Sequence, residues 1–530
     1  MAAAAEELAA EAGRDVLARG GNAVDAVIAI QMVLNLTEPQ SAGIGGGAFL
    51  LYYDAKSETV TAYDGRETAP QSARPDMFLD ESGAPKDYGA VMAGGGAVGV
   101  PGLLAMFEAA HRDHGSTPWR DLFAPAIALA ENGFPVTRRL SELIAEDGYL
   151  KKFPAARAYF YRADGSPRQP GEILKNPEFA DTLKTIADGG AAAFYEGPIA
   201  SDIAAAVKTP ENPGGLSVAD MTAYRAAGVA PVCGPYRSYR ICSMPPPSSG
   251  GITILQTLGI LESLDIPALP PESLESVHLI SEAERLAFAD RNQYLGDPDF
   301  ILVPTAAMLD PAYLRGRAKL ISKQRAMATV RPGVFLGGTN TPPAPRGQST
   351  THISVVDKDG NAASMTASIQ TAFGSRIFVR GFLLNNELTD FSFEPTVDGR
   401  PAANAPGPGK KPLSSMSPTL VFDSSGRLAL VVGSPGGTNI IGYVLKTLIG
   451  VLDWGEGIQQ AIDRPNFTAK TGPVLLEART PLTALRPGLE AMGHDIEVTP
   501  LVSGLYGIKV TPGGLEGGAD PRRPGVALGN

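Results

Sequence analysis

Alternating helical and strand periodicities along 530 residues point to a mixed α/β protein of the α+β kind. Apolar residues recur at helical spacing in residues 6–19, 22–36, 101–133 and 273–294, whereas period-two patterns follow residue 43 and return after residue 352. No motif repeats every 20–50 residues, which excludes a solenoid. With 44% hydrophobic residues the chain can bury a large core, and its length alone allows about two to four domains.

The alanine-rich start, Met1 to Glu7, feeds directly into a first helix that stops at Gly20-Gly21. A second helix runs from residue 22 to about residue 36. Gly43-Ile-Gly-Gly-Gly-Ala48 then opens a hairpin with a turn at 54–57 and a return strand at 60–64. Its G-x-G-x-x-A spacing invites a dinucleotide reading, but the motif follows a helix and precedes a strand, the reverse of what a pyrophosphate cradle needs. These glycines read instead as places of close backbone packing.

The middle third is mostly helical, and Ser248-Ser-Gly-Gly-Ile252 opens a helix that runs to residue 264. Cys233 and Cys242 flank a hairpin centred on Arg237-Ser238, a register that sets the sulfurs opposite each other; a disulfide and a pair of reduced thiols both remain open. Residues 329–349, rich in Pro, Gly, Thr and Asn, form an exposed linker. Strands are expected directly after it at 352–357 and 362–370, around a turn at 358–361, and later at 419–422 and 428–432.

Composition excludes several functions. The formal net charge of −11 and the lack of any Lys/Arg-rich block argue against a nucleic-acid partner. The most apolar segments, residues 26–36 and 442–452, are too short to span a bilayer. Of the five histidines only His111 and His114 lie close in sequence, with no metal-binding motif beside them, so neither a metal nor a cofactor is expected. The amino terminus lacks the features of an export signal, so the protein is either cytosolic or the product of leader removal.

The chemistry gathers around Thr350, in Gln348-Ser-Thr-Thr-His-Ile-Ser-Val-Val-Asp357, where an exposed loop runs straight into a strand. Scission before Thr350 would give one residue both a nucleophilic hydroxyl and a free α-amine to serve as its base. Ser368 lies on the partner strand of the expected hairpin, where the intervening turn returns its hydroxyl toward Thr350. Asn385-Asn-Glu-Leu-Thr-Asp390 offers two carboxylates, Glu387 and Asp390, and Leu413-Ser-Ser-Met-Ser-Pro418 offers paired hydroxyls. Gly433-Ser-Pro-Gly-Gly-Thr438 leads into a helix near residue 439, whose free N–H groups suit an oxyanion hole. Each motif singly also has a plain reading as turn, cap or solvated charge.

Taken in order, these motifs resemble the γ-glutamyltranspeptidase family of N-terminal-nucleophile hydrolases. The resemblance rests on Gly20-Gly-Asn-Ala-Val-Asp-Ala26, Glu38-Pro-Gln-Ser-Ala-Gly-Ile-Gly-Gly-Gly47, Asp64-Gly-Arg-Glu-Thr-Ala-Pro70, Met244-Pro-Pro-Pro-Ser-Ser-Gly-Gly251, Thr350-Thr-His, the Leu413 and Gly433 motifs, and Gly518-Ala-Asp-Pro-Arg-Arg523. It implies a four-layer αββα sandwich, with residues 1–349 as a large subunit and 350–530 as a small one, intertwined as a heterodimer after self-cleavage between Ser349 and Thr350. It implies Thr350 as nucleophile and Gly436 and Gly437 as oxyanion hole. Arg66, Ser414 and Ser415 would hold the α-carboxylate of a γ-glutamyl group, and Glu387 and Asp390 its α-ammonium. The implied donor is glutathione or a related compound, and the implied acceptor is water, an amino acid or a peptide.

Two departures stand out. Ser368 and Gln370 replace the Thr and Asn common in the family, so the hydroxyl survives while the amide is one methylene longer. The segment 391–412, where some members carry a substrate-covering lid, has no Tyr and is rich in Pro, Gly and Ala, which predicts a weak or open lid. The rival readings are a glutaryl acylase on the same scaffold, which would have no need of an ammonium site, and an unprocessed ligand-binding homologue. Members of the family are typically exported, so a periplasmic or secreted location is expected.

Overall fold

Two antiparallel sheets form the middle of the molecule in the computed structural model, which describes residues 1–226, 228–338, 349–397 and 399–529. The first sheet runs in the order Val526–Leu528, Ala2–Ala4, Thr351–Val356, Ala362–Ser368, Gly47–Asp54, Thr59–Gly65, Gly228–Val229. The second runs Gly514–Ala519, Tyr506–Thr511, Leu428–Gly433, Thr419–Phe422, Tyr239–Ser243, Val232–Tyr236. Every residue of Thr351–Val356 and Ala362–Ser368 is buried, so both faces of these strands are covered. Helices Glu7–Ala18 and Ala23–Thr37 pack on the outer face of the first sheet, and Gly250–Leu261, Ile440–Leu452 and Ile458–Asp463 on that of the second. The result is the expected αββα order.

The sheets meet closely. Ser354 donates to the Tyr506 carbonyl at 3.0 Å, and Ser364 accepts from the Thr419 N–H at 3.1 Å. Gly433 must be glycine here, because a Cβ would collide with the His352 ring. Each of these two sheets contains strands from both sides of residue 350.

The motif Gly20-Gly-Asn-Ala-Val-Asp25 is a capping device. Asn22 accepts from the N–H groups of Val24 and Asp25, while Asp25 accepts from the Asn22 N–H and binds Ser116 and Thr117. This anchors the Ala23–Thr37 helix, which is buried all round and delivers the Gln40-Ser41 loop to the site. Gly45 and Gly46 then press against the backbone of Leu383 and Ser368, as close packing demands, and no cradle opens a helix there.

Residues 2–4, read as the approach to a helix, form a strand wedged between Val526–Leu528 and Thr351–Val356, and the helix begins at Glu7. Pairing on both sides overrode the weak strand preference of alanine. Cys233 and Cys242 are register partners and are joined by a disulfide. Residues 339–348 of the expected linker lie outside the described residues; residues 329–338 form no helix or strand and leave Val334 and Leu336 exposed.

Candidate active site

Thr350 lies just before its strand, and the register that pairs Thr351 with Ala367 places Ser368 beside it. Thr350 Oγ1 donates to the Ser349 carbonyl at 2.5 Å, and Ser368 Oγ donates to the same oxygen at 3.0 Å. The Ser368 hydroxyl is held in turn by the Gln370 N–H at 2.8 Å and lies 3.4 Å from Thr350 Oγ1. Ser349 is fixed from the other side, its hydroxyl donating to the Gln40 carbonyl at 2.7 Å. Arg523 donates to the Thr350 carbonyl at 3.1 Å. The peptide at 349–350 is therefore gripped at both carbonyls.

A cavity of about 390 Å³ opens beside it, lined by Thr350, Ser368, Gln370, Glu387, Asp390, Ser414, Ser415, Gly436 and Gly437. Glu387 and Asp390 share one turn of 3₁₀ helix, where a spacing of three puts both carboxylates on one side. Gln370 adopts φ +81°, uncommon for a side-chain-bearing residue, and its amide donates to Asp390. Gly436 and Gly437, at φ +137° and +59°, turn the chain into Ile440–Leu452. They line the cavity together with Asn439 and Ile440, so the positive end of that helix borders it.

Arg66 does not line the cavity. It follows the Thr59–Gly65 strand, buried behind the acids, and donates to Glu387, to Asp390 at 2.6 Å, and to the carbonyls of Pro412 and Leu413 at 3.1 Å. Burial pushes both acids above the ordinary carboxylate range even against the pull of Arg66. Burial, and then the charge of Glu387, raises Glu67 further; that carboxyl sits beside Arg66 with no hydrogen-bond partner among the described residues. One guanidinium thus faces three buried acids, whose raised pKa values favour partial protonation.

Several lining residues carried no signal in the sequence. Arg291 and Asn292 sit in the helix Leu274–Tyr294, where helical spacing says nothing of which polar side chain meets a cavity. Lys470 leaves the short strand Phe467–Ala469 and donates to Thr438, next to Gly437, at 2.7 Å. Buried Glu284 fixes that approach by accepting from Thr468 and the Ala469 N–H. The segment 391–412 forms a hairpin at Thr396–Val397 and Arg400–Pro401, and of its described residues only Asn404 lines the cavity.

The family model named Gamma-glutamyltranspeptidase matches residues 9–530. The chain is 39% identical to the glutathione hydrolase proenzyme of Escherichia coli (strain K12), covering 98% of this chain and 90% of that one. It is 37% identical to that of Bacillus subtilis (strain 168), covering 100% and 91%. Among solved structures it resembles the cephalosporin acylase from Bacillus halodurans, with a TM-score of 0.85 and 27% identity over 99% of this chain and 94% of that one. With two hydroxyls converging on the Ser349 carbonyl and a family match along nearly the whole length, the chain belongs to the γ-glutamyltranspeptidase family.

Proposed function

We propose that Thr350 is the nucleophile of this self-processing γ-glutamyl hydrolase and transpeptidase, and that scission before it yields subunits 1–349 and 350–530. The observation that carries this is the convergence of the Thr350 and Ser368 hydroxyls on the Ser349 carbonyl oxygen. In the precursor Thr350 Oγ1 attacks the Ser349 carbonyl carbon, the C–N bond breaks as the nitrogen takes the proton, and water hydrolyses the resulting ester. The Ser368 hydroxyl supports the negative oxygen that forms on the way.

The freed α-amine, ordinarily of pKa about 7.7–8.0, accepts the Thr350 proton near neutral pH and returns it to the leaving amine. Between those transfers the γ-carbonyl becomes an oxyanion facing the Gly436 and Gly437 N–H groups, then an ester on Thr350. Water releases glutamate from that ester; an amino acid or peptide amine takes the γ-glutamyl group instead. The donor's zwitterionic end enters an existing set of ion pairs. Its ammonium takes Glu387 and Asp390, which frees Arg66 for the carboxylate, with Ser414 and Ser415 assisting.

Glutathione is the donor this reading names first, since both curated relatives are called glutathione hydrolases. A glutaryl acylase is the second reading, favoured by the likeness to the acylase structure and by the longer Gln370 amide. The two buried acids beside Thr350 argue for an ammonium and so for γ-glutamyl donors. An oxidising, extracytoplasmic location suits the Cys233–Cys242 disulfide.

The test is to follow purified protein by denaturing gel and amino-terminal sequencing, then to measure glutamate release from glutathione with and without glycylglycine. Two fragments, the smaller beginning at Thr350, and an inert, uncleaved Thr350→Ala variant are expected. Active material with no new terminus at residue 350 would overturn the proposal.

A further inference from the structure

Arg291 is a buried cation beside the cavity that forms no ion pair among the described residues, and the charge of Asp390 acts on it only from beyond ion-pair distance. Its residue is 8% exposed, and its guanidinium donates to three neutral oxygens: Ser249 Oγ at 2.9 Å, Asn292 Oδ1 at 2.9 Å and Ser415 Oγ at 3.1 Å. Two of its five N–H groups are left without an acceptor among the described residues. No carboxylate among the described residues pairs with it, whereas buried Arg66, Arg317 and Arg376 each face an acid. Buried Arg523 also forms no ion pair among the described residues, but it binds the Thr350 carbonyl and does not line the cavity. Burial lowers Arg291 to about 10, which still leaves it charged at neutral pH. A buried charge is normally matched by an opposite one.

We infer that Arg291, acting with the Ser415 hydroxyl, binds the substrate's α-carboxylate as a second cation alongside Arg66. The placement follows from the Leu413-Ser414-Ser415 stretch, which the two arginines bracket: Arg66 donates to the Leu413 carbonyl and Arg291 to the Ser415 hydroxyl, both at 3.1 Å. Because Ser415 Oγ accepts from Arg291, its own proton is free to point at a further acceptor. Ser415, Arg291 and Ser414 all line the cavity that contains Thr350, so an anion seated there lies within reach of both. Arg66 must surrender its acids before it can hold a carboxylate; Arg291 is in no ion pair among the described residues and feels Asp390 only at longer range. It therefore supplies the positive field that admits the anion in the first place. The inference rests on Thr350 being the acyl acceptor, and it holds for γ-glutamyl and glutaryl donors alike, since both carry this carboxylate.

Three p-nitroanilides separate the groups: γ-glutamyl, glutaryl, which lacks the ammonium, and 4-aminobutanoyl, which lacks the carboxylate. In Arg291→Met, kcat/KM for the two carboxylate-bearing substrates should fall about tenfold or more beyond any change for the 4-aminobutanoyl compound. Arg291→Lys, which keeps the charge, should show an intermediate loss confined to the same two. Maturation on a denaturing gel reports whether each variant folds and cleaves. If Arg291→Met does not mature, Arg291→Lys and Ser415→Ala carry the test, each expected to lose rate only on carboxylate-bearing substrates. Equal losses on all three substrates, or unchanged selectivity, would overturn the role of Arg291. Wild-type protein that turned over none of the three would instead overturn the assignment of the site.

Discussion

In the proposed reaction Ser368 serves the precursor as Gly436 and Gly437 serve the substrate, each set of donors meeting an oxygen that becomes negative. Ser368→Ala leaves that oxygen with the Thr350 hydroxyl alone, and the hydroxyl is consumed by its own attack. Self-cleavage should slow by roughly 10²–10³-fold, the usual effect of removing one such donor. A gel time course measures it, and an unchanged half-time would exclude the role. The acids yield a pH prediction. Burial raises the pKa of Glu387 and Asp390, and an ammonium is gripped only by their ionised forms. KM for a γ-glutamyl anilide should therefore rise as pH is lowered from about 8 to about 5, with a weaker trend for the glutaryl compound. A flat KM for the γ-glutamyl substrate would contradict this. Thr350, Ser368, Glu387 and Asp390 were legible in the sequence because short motifs carry them. Arg291 was not, since its function comes from a cavity that forms only when the helix Leu274–Tyr294 meets the Leu413–Ser415 stretch.

Turns and registers convert those motifs into a site. The hairpin of Thr351–Val356 and Ala362–Ser368 brings residues 350 and 368 together through antiparallel pairing, which alternation and the turn at 358–361 made readable. The Ala2–Ala4 strand was not readable, as three alanines acquire strand character only from their neighbours in the sheet. The disulfide depended on a register that the sequence suggested, while oxidation itself had to come from the structure. At the start of Ile440–Leu452, Gly436 holds φ +137°, and a Cβ there would lie 2.6 Å from the Tyr443 ring. Gly436→Ala should distort the oxyanion site and reduce anilide turnover by about 10²-fold or more. Maturation should proceed, because the Ser349 carbonyl is held by the Thr350 and Ser368 hydroxyls and not by Gly436. Loss of maturation together with turnover would show that the two oxyanions share a site.

The two parts pair with each other in both sheets and interleave in the first, so scission leaves the fold's pairing intact and the fragments should separate only on unfolding. Alternating periodicities made a mixed α/β chain legible, and the family resemblance supplied the αββα plan; the closeness of the two sheets was not legible, because it depends on side chains that meet only after both have formed. His352 is the clearest case. It lies between the sheets against Gly433, its ring nitrogens bonded to Thr366 and Ser354, and burial lowers its pKa to about 3. In the unfolded chain the same ring would take a proton near the ordinary value of about 6.5. As pH falls below that value the unfolded state binds the proton first, so stability is lost down to the folded value, at up to about 1.4 kcal/mol per pH unit. His494, lowered to about 4 mainly by burial, acts in the same direction, whereas buried Glu284, raised to about 7, acts oppositely, so the total slope mixes several groups. The difference between wild type and His352→Asn isolates one of them. Asn is smaller and uncharged, so the variant should be less stable at pH 8, and its deficit should shrink steadily as pH is lowered from about 6.5 to about 4. Urea unfolding of matured protein at several pH values measures this, and a deficit independent of pH would mean that His352 is protonated equally in both states.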